Sequence, residues 1–139
     1  MALVNDDSSP DGRKRWWRWL AVSAVIVVAD LLSKNWIADH LRLGESIYLT
    51  SWFNIVRAHN TGAAFSFLAN AGGWQRGFFI AITVIVSVGL LVFLRRHEGQ
   101  SRLFSLSLAM VLGGAIGNLH DRVTLGYVID FVQWHYGGY

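Results

Sequence analysis

The sequence predicts a mainly α-helical, polytopic membrane protein with three transmembrane helices and a small extracytoplasmic β element. Three observations predict it. The 139 residues are 53% hydrophobic and 15% charged, with a single proline, which is a membrane composition. Three apolar runs, at about 16–36, 77–94 and 103–119, each approach the roughly 20 residues that cross a bilayer core. Lysines and arginines gather at one set of ends of those runs, as they do on the cytoplasmic side of a membrane.

Residues 1–12, MALVNDDSSPDG, are small, polar and acidic with no helical or strand period, so a disordered cytoplasmic tail is expected there. Residues 13–139 form one membrane domain. Its first span runs from Trp16 to Trp36, with Arg13, Lys14, Arg15 and Arg18 at its start. A cleaved signal peptide also begins with basic residues and an apolar core, but this run is long for one and contains Asp30 and Lys34, which favours a retained helix. The second span, Gly77–Leu94, ends at Arg95 and Arg96, and the third covers Leu103 to about Leu119. Seven cations (Arg13, Lys14, Arg15, Arg18, Arg95, Arg96 and Arg102) stand against two, Arg42 and Arg57, in the segment 37–73. The positive-inside rule then places the N-terminus and the 95–102 loop in the cytoplasm, and 37–73 and 120–139 outside. Within 37–73, Ser46–Val56 is rich in Ile, Tyr, Trp, Phe and Val, and Asn60-Thr61-Gly62 is a turn signal, so the β element is expected there, resting on the membrane. Seven tryptophans, several at the ends of apolar runs, suit the interface.

Composition also excludes chemistries. Without cysteine there is no disulfide, no thiolate metal site and no cysteine nucleophile. The five histidines, His40, His59, His97, His120 and His135, lack HExxH spacing, which argues against a metalloprotease. The net charge of +3 lies in short clusters beside the spans, so it reads as topology and not as a nucleic-acid surface.

Ionisable residues in the spans call for a partner or a role, since a charge at the bilayer centre costs roughly 2.5 to 3.5 kcal/mol even on lenient scales. Asp30 and Lys34 are four apart and can pair on one face of the first helix. The third span carries Gly113, Gly114 and Gly117, read as sites of close helix approach, then Asn118, Asp121 and Arg122, which share a face near the outer boundary if the helix continues. Asp130 follows in the apolar setting Val128-Ile129-Asp130-Phe131. An apolar setting and a nearby second carboxyl both favour the protonated acid. Such a pair can share a proton, one member taking a proton from water while the other donates to a carbonyl. Spacing alone leaves Asp130 as either such a group or an interfacial acid, and leaves Asn60 as either a turn residue or a site residue.

Asp30-Leu31-Leu32-Ser33-Lys34, the Asn60–Ser66 block NTGAAFS, the 113–122 block GGAIGNLHDR and Val128-Ile129-Asp130-Phe131 together resemble the bacterial lipoprotein signal peptidase family, signal peptidase II, in order and spacing. One departure is Leu31, where the family usually has Gln. The resemblance implies a four-helix fold in the bacterial inner membrane, with an extracytoplasmic β cradle and an active site near the outer leaflet. It implies an intramembrane aspartic endopeptidase that removes the signal peptide of diacylglyceryl-modified prolipoproteins just before the lipidated cysteine. Carried over, Asp130 matches the first catalytic aspartate, Asn60, Asn118 and Arg122 match polar residues of the substrate site, and Asp30, Lys34 and Asp121 match support positions. Asp121 is the rival acid, with Arg122 expected to keep it ionised and paired. The second catalytic aspartate belongs to an F-N-x-A-D motif ahead of a fourth span, and neither occurs within these 139 residues. The chain as it stands is therefore expected to be inactive. No cofactor or metal is implied, the partners are substrate and membrane lipids with no nucleic acid, and a monomer is expected. The competing readings are a non-enzymatic lipid-binding or assembly module and a transporter fragment, the latter lacking paired broken helices.

Overall fold

The computed structural model describes residues 16–61, 73–97 and 101–135. The elements in chain order are α1 (Trp17–His40), β1 (Ser46–Tyr48), β2 (Phe53–Asn60), α2 (Trp74–Arg96), α3 (Arg102–Thr124) and β3 (Val128–Trp134). All three expected spans are present as helices long and apolar enough to cross a membrane. α1 and α3 run past the expected ends, to His40 and Thr124. An apolar run reports only the stretch that lies in hydrocarbon, whereas backbone hydrogen bonding continues through polar residues. At 1.5 Å per residue, 23 or 24 residues span about 35 Å, beyond a core about 30 Å thick.

The ends have local causes. Ser101 Oγ accepts the Phe104 N–H at 3.0 Å and caps the start of α3. α3 stops where Gly126 takes φ +85° and its N–H returns to the Arg122 carbonyl at 3.2 Å, a left-handed turn that suits glycine. α1 ends under Arg57, whose Nη1 donates to the Ala38 and Leu41 carbonyls at 3.1 and 2.9 Å.

α3 packs against both α1 and α2. The α1/α3 seam is close: a Cβ on Gly113 would lie 2.7 Å from Ile26 Cβ and 2.8 Å from the Ser23 carbonyl, and one on Gly117 would overlap the Asp30 carboxylate. Ser23 Oγ, buried in the seam, donates to the Ala109 carbonyl at 2.7 Å. Gly114, expected to share this role, faces open space, because one residue turns a helix by about 100° and carries it off the seam. Large apolar side chains such as Val25, Ile85 and Leu103 are 66%, 70% and 74% exposed, as helices surrounded by lipid require.

The β element is larger than the sequence suggested. It is an antiparallel sheet of order β1-β2-β3, with β3 contributed by the far end of the chain. Ala58 pairs with Asp130, His59 with Ile129 and Asn60 with Val128, and a register shift falls between Ile55 and Ala58. Asn60 ends β2, and the rest of the NTGAAFS block from Gly62 onward lies outside the described residues, as does the 1–12 tail. The sheet rests on the C-terminal end of α1 through a core of Ile37, Leu41 and Ile129, flanked by Ile47, Ile55, Tyr127 and Phe131.

The seam predicts contrasting glycine substitutions. Gly113→Val should destabilise the protein by about 1–3 kcal/mol through overpacking, whereas Gly114→Ala should change stability little. Unfolding midpoints in mixed SDS and neutral detergent check this, and equal effects at the two positions would contradict the seam.

Candidate active site

Lys34 is the centre of the polar region. One turn along α1 its ammonium meets Asp30 Oδ2 at 2.7 Å, and across the seam it meets Asp121 Oδ2 at 2.9 Å and Asn118 Oδ1 at 3.0 Å. Three oxygens match the three N–H groups of an ammonium in number, although the Asp30 contact is ionic in distance without hydrogen-bond direction. Lys34 and Asp121 are each 3% exposed. A buried charge of this kind persists only with partners, and Gly117 provides the space that lets Asp30 lie against α3. Asp121 Oδ2 also accepts the Ile129 N–H at 3.1 Å. The ionic centre thereby reaches β3, one residue before Asp130.

Two of the expected placements change. Asp121 was expected to pair with Arg122, but its buried partner is Lys34 at 2.9 Å, with the exposed His120 Nδ1 3.6 Å from its other oxygen. Asn118, Asp121 and Arg122 were expected on one face. Asn118 and Asp121 converge on Lys34, while the Arg122 guanidinium extends over the Phe79 ring of α2, 5.3 Å from its centroid. Arg122 also interacts electrostatically with Asp130 and Asp121.

Asp130 is half-buried on β3. Directly paired residues and alternate residues of a strand share a face, so the Ala58–Asp130 and Asn60–Val128 pairs put Asn60 and Asp130 on the same face as diagonal neighbours. The expected residues thus fall into two groups. Asp30, Lys34, Asn118 and Asp121 form a buried ionic centre, while Asp130 and Asn60 share the sheet face opposite Ile129, with Arg122 in electrostatic reach of Asp130.

On the other face, His59 pairs with Ile129 and its ring stacks on Tyr127 with centroids 4.0 Å apart. Burial, reinforced by the charge of Arg57, lowers the His59 pKa below the usual imidazole value. Sequence reasoning missed Ser23, Arg57, Arg76 and the Ile129 N–H. Arg57 and Arg76 did carry a signal, as lone cations inside or beside apolar runs. Ser23 and a main-chain N–H carry none.

The spans, the paired intramembrane charges and the sheet at one end of the bundle make this a multi-pass membrane protein with an enclosed polar centre. The comparisons specify it further. The family profile of signal peptidase (SPase) II matches residues 22–139. The lipoprotein signal peptidase of Ectopseudomonas mendocina is 50% identical over 119 residues, covering 85% of this chain and 70% of that protein. Those of Burkholderia vietnamiensis and Yersinia enterocolitica are 49% and 48% identical, covering 87% and 86% of this chain and 72% and 69% of theirs. A bacterial membrane enzyme solved by the in meso method at 1.9 Å is similar with a TM-score of 0.70 and 29% identity, over 84% of this chain and 74% of that one. The chain belongs to the signal peptidase II family.

Removing the cation is the decisive perturbation of the ionic centre. Lys34→Met leaves two carboxylates without it and should cost about 3–5 kcal/mol, with part recovered when Asp121→Asn is added. Detergent unfolding of the single and double variants measures both, and an unchanged midpoint for Lys34→Met would refute the central role of Lys34.

Proposed function

We propose that the chain supplies most of the active site of an intramembrane aspartic endopeptidase, one that removes the signal peptide from diacylglyceryl-modified prolipoproteins just before the lipidated cysteine. The observation that carries this reading is the position of Asp130: a half-buried carboxylate on β3, sharing a face with Asn60 and interacting with Arg122. Family membership supports the substrate class. An apolar recess of a kind that suits an acyl chain lies between α1 and the sheet, on the Phe131 side of β3, lined by Leu32, Ser33, Trp36, Ile37, Ile55 and Phe131.

In this mechanism two carboxyls hold one proton. The ionised member takes a proton from the attacking water, and the protonated member donates to the scissile carbonyl as it becomes tetrahedral. Asp130 is one of the two. Asp121 is unsuited to be the other, because Lys34 and the Ile129 N–H already occupy it in a buried site. The second carboxylate comes from an F-N-x-A-D motif, which these 139 residues do not contain. Asn60 and Arg122 orient the substrate backbone. Asn118 spends one lone pair of Oδ1 on Lys34 and can offer substrate its Nδ2 hydrogens.

Processing of a lipid-modified precursor, followed by gel shift, tests the reading. The 139-residue protein should not cleave, while a chain extended through such a motif and a fourth span should. In the extended protein Asp130→Asn should lower turnover at least roughly a thousandfold, and Asp121→Asn less. Cleavage by the 139-residue protein, or near-normal turnover of Asp130→Asn, would remove Asp130 from the mechanism.

The same reading sets the protein in the inner membrane with its N-terminus in the cytoplasm and the sheet outside. The chain has no cysteine, so single cysteines at Ser46 and Ser101 report topology directly. An impermeant thiol reagent on intact cells should label position 46 and not 101, and the reverse pattern would invert the orientation.

A further inference from the structure

Arg76 and Phe79 stand three residues apart at the sheet-side end of α2, both turned toward α3, and neither belongs to a motif block. Arg76 Nε donates to the Arg122 carbonyl at 2.9 Å, and its Nη2 donates to the Val123 carbonyl. These carbonyls lie in the last turn of α3, where that of Arg122 already takes the Gly126 N–H at 3.2 Å. The same side chain borders the turn at Gly126, where a Cβ would stand 3.8 Å from Arg76 Cδ. One turn along, the buried Phe79 ring lies beneath the Arg122 guanidinium at 5.3 Å. Residue 122 is therefore gripped by α2 twice, at its backbone by Arg76 and at its charge by Phe79.

The charges around Arg122 show what this grip serves. Asp121 has Lys34 at 2.9 Å, so its charge is already met. Asp130 interacts with Arg122. Arg57 and His59, either side of the Asp130 partner Ala58, are committed elsewhere: Arg57 Nη1 to two α1 carbonyls and the His59 ring to Tyr127. Among the described residues, Arg122 is thus the cation whose charge reaches Asp130.

We propose that Arg76 and Phe79 are positioning residues, which together hold the Arg122 guanidinium in place beside Asp130. The proposal rests on the reading of Asp130 as a catalytic carboxylate. Arg76 fixes where α3 ends and β3 begins, and Phe79 fixes which way the guanidinium leaves the helix. Both act through Arg122 and neither touches the reacting atoms.

Two measurements test this. In the 139-residue protein in micelles, the ring current of Phe79 should displace the Arg122 side-chain Nε–H proton resonance. The displacement should vanish in Phe79→Leu, persist in Phe79→Tyr, and diminish in Arg76→Gln with recovery in Arg76→Lys. In the extended protein, Phe79→Leu should lower turnover about tenfold, the scale of a partly desolvated cation–π contact. In an Arg122→Gln background the same substitution should cost nothing more, because the pathway runs through the guanidinium. A merely structural role would instead add its loss to that of Arg122→Gln. Additive losses, or an Arg122 resonance indifferent to residue 79, would overturn the proposal. Full turnover by Asp130→Asn would instead overturn the catalytic reading, and the resonance would still report whether α2 holds Arg122.

Discussion

A single buried ammonium organises this protein. Lys34 sits where neither water nor lipid headgroups can solvate it, and an unpaired charge there would be prohibitive. Its partners come from its own helix and from α3, so satisfying one side chain brings two helices together at a fixed register. The seam below complies: Gly113 and Gly117 carry no side chain where one would collide, and Ser23 Oγ reaches the Ala109 carbonyl across it. Through Asp121 the same centre holds the Ile129 N–H and thus the start of β3. Buried ion pairs are weak evidence of net stability, since apolar replacements often serve as well. Fixing one arrangement of helices and strand is what this one provides.

Two kinds of cohesion meet at the sheet-side end of the bundle. Between the helices, lipid is as apolar as the side chains, so association depends on close approach and polar contacts more than on apolar burial. The seam shows both. Over the end of α1 the sheet instead packs a conventional apolar core on Ile37, Leu41 and Ile129. Ile129 belongs to both regimes, its side chain in that core and its N–H on Asp121. Asp130 therefore follows a residue that is held twice, by side chain and by main chain, which fixes its place on β3.

Asp121 and Asp130 show how environment separates two identical side chains. Both belong to motif blocks and both interact with Arg122. Asp121 is buried against Lys34 and spends an oxygen on the strand, whereas Asp130 is half-buried on the face that carries Asn60. The first arrangement suits an acid that supports structure, the second an acid with room for a substrate.

The amino-acid sequence by itself determined the three spans, the Asp30–Lys34 pair and the family, because apolar length, i to i+4 spacing and motif order are local properties written along one segment. It located the first half of the sheet for the same reason. It did not reveal β3, whose partner strand lies some seventy residues earlier, or the choice of Asp121 for Lys34 and of Arg122 for Phe79. Nor could it separate Gly113 from Gly114, which differ only in which neighbour they face. Those were decided in the tertiary structure, where a buried charge takes the oxygens that helix packing brings within about 3 Å, and a strand's register decides which side chains share a face.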